Sequence, residues 1–135
     1  MNRVKPLSVI TIDDDPVSQF IARKIIMSCE PDCDPRSFVD PKQGLEYFIQ
    51  HQNNEELLPD ILLLDLSMPD LDGFQVLDGL TQINLQKKVH IFMLTSSISA
   101  EDMQRAKGYD IVDGFQLKPL SRDTFNKIKE GVLAE

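Results

Sequence analysis

The stretch ILLLDLSMPDLDG, residues 61–73, decides the fold. Four apolar residues, Ile61 to Leu64, follow the pair Pro59-Asp60 and stop abruptly at Asp65. A short apolar run with no polar alternation, entered from a turn pair, reads as a strand buried on both faces. Strands of that kind belong to parallel sheets covered by helices on each side. The run ends on a carboxylate, and Asp70, Asp72 and Gly73 follow within eight positions. So much acid beyond a buried strand points to chemistry at the strand end.

Working outward, apolar runs alternate with amphipathic segments along the chain. LSVITI (7–12), RSFV (36–39), DILLLD (60–65), VHIFML (89–94) and GFQL (114–117) read as strands. VSQFIARKIIMSC (17–29) reads as a helix with Val17, Phe20, Ile21, Ile25 and Ile26 as its apolar face and Pro16 in its first turn. PKQGLEYFIQHQ (41–52) places Leu45, Phe48 and Ile49 inward, and a helix around Phe74 to Ile83 uses Phe74, Val76, Leu77 and Leu80. SAEDMQRAKGY (99–109) is a short helix entered through Ser99; RDTFNKIKEGVL (122–133) closes the chain with Phe125, Ile128, Val132 and Leu133 inward. Strict alternation of this kind predicts one α/β domain over residues 1–135, a parallel sheet with helices on both faces. At 135 residues, with 41% apolar and 27% charged residues, the chain suits a single globular domain.

The formal net charge of -8 argues against nucleic acid and anionic membrane surfaces, both of which are bound through Lys and Arg. No apolar run reaches the ~18 residues that span a bilayer. The N-terminal MNRVKPLSVITIDDD meets acid too soon for a signal peptide, so a cytoplasmic location is expected. Cys29 and Cys33 lack the further ligands a zinc site needs, and free thiols are expected. His51 and His90 read as solvated or structural.

In an open parallel sheet, ligands bind beyond the carboxyl ends of the strands. Those ends carry Asp13, Asp14 and Asp15, then Asp65, then Thr95 with Ser96 and Ser97, then Lys118 with Pro119. Singly each has a bland explanation, and Asp15 before Pro16 reads as a helix cap. Together they are harder to dismiss. Carboxylates brought within a few ångströms repel and call for a cation. Hard oxygen ligands suit Mg2+, or Mn2+ in its place, either of which pairs with phosphate. A lysine and a hydroxyl would serve the remaining phosphoryl oxygens. The set predicts phosphoryl transfer to a carboxylate, with Asp65 as nucleophile.

The pieces VITIDDDP, DILLLDLSMPDLDG, IFMLTSS and GFQLKPLS, in this order and spacing, resemble the receiver domains of two-component response regulators. Asp14 to Asp65 is 51 residues, Asp65 to Thr95 is 30, and Thr95 to Lys118 is 23. The resemblance covers essentially the whole chain. It implies a flavodoxin-like (βα)5 three-layer sandwich with strand order 2-1-3-4-5 and no output domain. It implies that Asp65 accepts a phosphoryl group from a phosphohistidine of a sensor histidine kinase or a histidine phosphotransfer protein. Asp14 would then bind Mg2+ directly, Asp13 through water, and Ser67 through its backbone carbonyl. Thr95 and Phe115 would move together as a switch, Lys118 would pair with the phosphoryl group, and Lys118–Pro119 would be cis. The surface of the fourth helix, fifth strand and fifth helix would change to control an unidentified downstream protein, as a monomer or as a phosphorylation-dependent dimer. Ser67 and Ser97 hold the positions that tune phosphate loss.

Three other functions fit the residues less well. A Mg2+-dependent aspartyl phosphatase would want a second acid two residues after the nucleophile, where Ser67 stands. A degenerate docking module would lack a site residue, and every one is present. A nucleotide-binding protein would want Gly-rich phosphate turns in place of IDDDP.

Overall fold

The structure, a computed structural model, describes residues 6–96 and 99–134. Five strands, β1 (Val9–Ile12), β2 (Arg36–Phe38), β3 (Ile61–Asp65), β4 (His90–Thr95) and β5 (Val112–Leu117), alternate with five helices. The helices are α1 (Pro16–Cys29), α2 (Pro41–Gln50), α3 (Gly73–Thr81), α4 (Ala100–Ala106) and α5 (Arg122–Leu133). All pairings are parallel, in the order β2-β1-β3-β4-β5. This is the expected flavodoxin-like fold, with the apolar run of β3 at the centre and all five of its residues buried.

Side chains on successive strand positions point to opposite faces, and the two faces build two cores. Ile10, Ile12, Leu62, Leu64, Ile91 and Met93 join α2 and α3 through Phe48, Phe74, Val76 and Leu77. Val9, Ile61, Leu63 and Leu94 join α1 and α5 through Ala22, Ile26, Phe125 and Ile128. Asp13 continues the parity of Val9, and Asp65 that of Ile61 and Leu63, so both carboxylates emerge on the α1–α5 side.

The helix starts follow local chemistry. Asp15, Asp40, Asp72, Ser99 and Ser121 each cap a helix by accepting a backbone N–H, and Asp72 with Gln75 forms a reciprocal capping box. Asp15 is thus the cap its sequence suggests, and Asp70 adopts a positive φ of 65° in the loop before α3. Cys29 and Cys33 are free thiols. His90 pairs with Asp113 across the start of β4 and β5, a structural role.

The packing of α1 corrects the sequence reading. Val17, Phe20 and Ile21 are exposed, at 65%, 61% and 37%, and Ile25 is only half-buried. The buried stripe is Gln19, Ala22 and Ile26, on the other side of the helix. The helix is held through a narrow contact with α5 and the sheet, which a small alanine and a hydrogen-bonded glutamine fill. Ile49 and Leu133 are likewise exposed rather than inward, and Val39 lies beyond β2 with its side chain in solvent. The third helix ends at Thr81 and the fourth at Ala106, short of the expected Ile83 and Tyr109. Among the described residues no helix is long and apolar enough to cross a membrane.

Candidate functional site

Charged residues just beyond β1 and β5 meet the last residue of β3. Asp13, Asp14 and Asp65 each offer a carboxylate oxygen, and these atoms lie within 4.8 Å of one another. Lys118 reaches across from the end of β5, its Nζ 2.7 Å from Asp13 Oδ2 and 3.3 Å from Asp65 Oδ2. Asp13 and Asp65 are each 5% exposed, whereas Asp14 is half-exposed and faces the opening. Three acids against one ammonium leave an excess of negative charge in a partly dry site.

That excess shows in the protonation of the groups. Burial and the neighbouring Asp13 push the Asp65 carboxyl up to about 7, against the pull of Lys118. For Lys118 burial works against the charge, but its bonds to Asp13 and the fields of Asp13 and Asp65 prevail and raise its affinity for a proton. A lysine alone therefore leaves Asp65 undercompensated. A divalent cation in contact with oxygen ligands would complete the compensation, and the chemistry of the donor set fits a hard ion such as Mg2+.

The backbone around Asp65 is tightly fixed. Gly73 N donates to Leu66 O at 2.9 Å and Leu66 N donates to Leu94 O at 2.9 Å, pinning the strand end between α3 and β4. A Cβ at Gly73 would stand 2.6 Å from the Asp65 carbonyl oxygen and 3.0 Å from Leu66 Cα. Only glycine permits that approach. Ser67, exposed in the loop, turns its N–H toward Asp65 Oδ1 at 3.4 Å.

Thr95 is 3% exposed at the end of β4, and its carbonyl accepts the Lys118 N–H at 2.8 Å. That bond ties the ends of β4 and β5 together, and the Lys118–Pro119 peptide is cis as expected. Phe115 is half-buried, in register with Met93, and lines a cavity of about 450 Å³ with Met103, Ala106 and Tyr109. The structure therefore gathers Asp13, Asp14, Asp65 and Lys118 into one cluster, with Thr95 and Ser67 on its rim and Phe115 farther along β5. Ser97 lies outside the described residues.

Two residues of the site are not evident from strand ends. Ser18 donates from its hydroxyl to Asp13 Oδ2 at 2.6 Å. Gln19, 7% exposed, turns its amide beneath the Asp13 turn. Both sit in the first turn of α1, and no sequence signal marks them, because which polar residues of a helix turn inward shows only in the fold.

Comparison with known proteins bears on the fold and the family. Relatives include the probable methanogenesis regulatory protein FilR2 of Methanothrix harundinacea, 34% identical over 95 residues, covering 67% of this chain and 61% of that protein. The nitrate/nitrite response regulator protein NarL of Escherichia coli is 29% identical over 128 residues, covering 94% of this chain and 55% of its own. The chain thus spans little more than half of each of these relatives. Among solved structures, a two-component response regulator from Cytophaga hutchinsonii superposes with a TM-score of 0.83 at 27% identity, covering 97% of this chain and 99% of that one. The CheX–CheY–BeF3–Mg complex from Borrelia burgdorferi gives 0.79 at 20% identity, over 97% and 92% of the two chains, a likeness of fold. The family model of the response regulator receiver domain matches residues 9–129, and the chain belongs to that family.

Proposed function

We propose that this domain is a phosphorylation-controlled switch or relay in which Asp65 accepts a phosphoryl group from a phosphohistidine on a partner protein. The observation that carries the proposal is the convergence of Asp13, Asp14, Asp65 and Lys118 at one sheet edge, three acids and one ammonium within contact distance. Receiver domains interact with histidine kinases or phosphotransfer proteins and serve in phosphorylation-dependent signalling, which accords with this site.

Asp65 attacks phosphorus through one carboxylate oxygen, the bond to the donor imidazole nitrogen breaks, and the imidazole leaves with the electron pair. Asp14 and Asp65, with Asp13 behind them and the Ser67 carbonyl at the rim, would hold Mg2+ (or Mn2+). When bound, the metal supplies positive charge against the attacking and transferring oxygens. Lys118, whose Nζ lies 3.3 Å from Asp65 Oδ2, would pair with a phosphoryl oxygen once Asp65 is modified. The hydroxyl of Thr95 then turns toward that oxygen, and the inward movement of Phe115 into its cavity carries the change to α4, β5 and α5.

A groove of about 290 Å³ beside the site is bordered by Val17, Ile21, Ser96, Lys118 and Pro119. With Phe20 it offers apolar surface on which a protein donor would rest. The enzyme alternative, a phosphatase, finds no support: the position two residues after Asp65 is the exposed Ser67, with no acid to protonate a leaving group.

A small phosphodonor such as acetyl phosphate tests the proposal without a cognate kinase. Phosphate incorporation is expected with Mg2+, is lost on addition of EDTA, and needs at least about tenfold more metal in Asp14→Ala. Incorporation that ignores EDTA contradicts the reading.

A further inference from the structure

The acidic turn after β1 rests on a side chain that no metal or phosphoryl group would touch. Gln19 lies beneath it, and its Nε2 sits 3.1 Å from Asp13 O, 3.1 Å from Phe38 O and 3.4 Å from Thr11 O. Its Oε1 accepts the hydroxyl of Thr11, which also stands 3.2 Å from Ser37 Oγ. The contacts are ordered: Thr11 fixes the amide oxygen, and so turns the two N–H groups toward the carbonyls. The bonds fall where β1 and β2 part, at and just past their last paired positions, Ile12 and Phe38. There Asp13 N still donates to Phe38 O at 3.0 Å, and Gln19 reinforces this last bond between the two strands.

The consequence for the site is geometric. The Asp13 carbonyl belongs to the peptide that joins Asp13 to Asp14. Holding that oxygen fixes the peptide plane, and with it the directions in which the two carboxylates leave the backbone. From above, the Asp13 carboxylate is held by Ser18 Oγ at 2.6 Å, Asp15 N at 3.0 Å and Lys118 Nζ at 2.7 Å. Thus α1 supplies one grip on the carboxylate and another on the backbone under it.

We infer that Gln19 is a positioning residue of the acidic cluster, setting the Asp13–Asp14 peptide so that the cluster binds a divalent cation with full affinity. This rests on the phosphoryl-transfer reading of the same site. A residue that holds ligands without touching the metal typically moves its affinity 10- to 100-fold when removed. Methionine at position 19 matches the length of the side chain but offers no donor, so the Asp13 carbonyl loses this contact while Phe38 O keeps the Asp13 N–H. Glutamate keeps the shape and replaces the donor with a repelling oxygen.

The test compares the full chain with Gln19→Met, Gln19→Glu and Thr11→Val. Mg2+ affinity is measured by calorimetric titration, and labelling by acetyl phosphate is measured at limiting and saturating Mg2+. The expected result is a loss of Mg2+ affinity of about tenfold in both Gln19 variants and about threefold in Thr11→Val. Labelling should slow by the same factors at limiting Mg2+ and recover to within about threefold of wild type at saturation. A role in folding alone would lower the melting temperature yet leave the Mg2+ affinity of the folded protein unchanged, and that outcome overturns the inference. Should the Gln19 variants not fold, Thr11→Val decides, since it removes only the hydroxyl that orients the amide: unchanged affinity there also overturns it. A wild-type protein that neither binds Mg2+ nor takes up phosphate overturns the phosphoryl-transfer reading itself. Normal wild-type behaviour with unaltered variants overturns the positioning role alone.

Discussion

Asp65 combines a nucleophile's position with an electrostatic burden, and the burden is measurable without any partner. Its carboxyl is pushed by burial and Asp13 up to about 7, from an ordinary value of 3.8. Between those values the folded protein binds more protons than the unfolded chain, so stability must fall as pH rises across that window. Asp65→Asn removes this contribution. The variant should be more stable than wild type at neutral pH in metal-free buffer, by on the order of 1–3 kcal/mol, and equal to it near pH 4. Thermal denaturation from pH 4 to 8 checks this, and parallel curves for the two proteins would contradict it. Saturating Mg2+ should narrow the gap, because a cation held by the folded state stabilises it by mass action. The grouping of Asp13, Asp14, Asp65 and Lys118 is legible in the sequence, since each stands at or just beyond the end of a strand-like run and strand ends of a parallel sheet share one edge. Gln19 was not legible, because a glutamine inside a helix reads as solvent-facing until its hydrogen-bond partners are known.

At the level of the element, α1 shows where pattern reading misleads and why. Counting apolar side chains credits Val17, Phe20 and Ile21, and passes over Gln19 and Ala22. The helix does the reverse, burying Gln19, Ala22 and Ile26. A glutamine whose amide is fully bonded carries little penalty in the interior, and alanine allows close approach to the sheet. Phe20→Ser should therefore change stability by no more than about 0.5 kcal/mol, whereas Ile26→Ala should cost about 3 kcal/mol. Urea denaturation of the two variants distinguishes them, and a large loss in Phe20→Ser would mean that the face is packed. In α3 the apolar pattern and the packing agree. Phe74, Val76, Leu77 and Leu80 of α3 are buried as their spacing predicts, because its apolar stripe is wide.

Across the whole molecule, the order of strands follows from the resemblance, and the buried run of β3 accounts for its central place. Although 51 residues separate Asp14 from Asp65, the shared edge of a parallel sheet predicts that they meet, and only their distances wait for the fold. The folded chain closes that separation to a few ångströms, with Lys118 between Asp13 and Asp65. A rigid sheet edge with Gly73 behind it and α1 beneath it holds the cluster, and the cavity beside Phe115 would give the proposed switch movement room. The decisive measurement is intact mass of wild type and Asp65→Asn after treatment with acetyl phosphate and Mg2+. One added phosphoryl group on the wild type and none on the variant is the predicted result. No addition to the wild type, or equal addition to both, would contradict Asp65 as the acceptor.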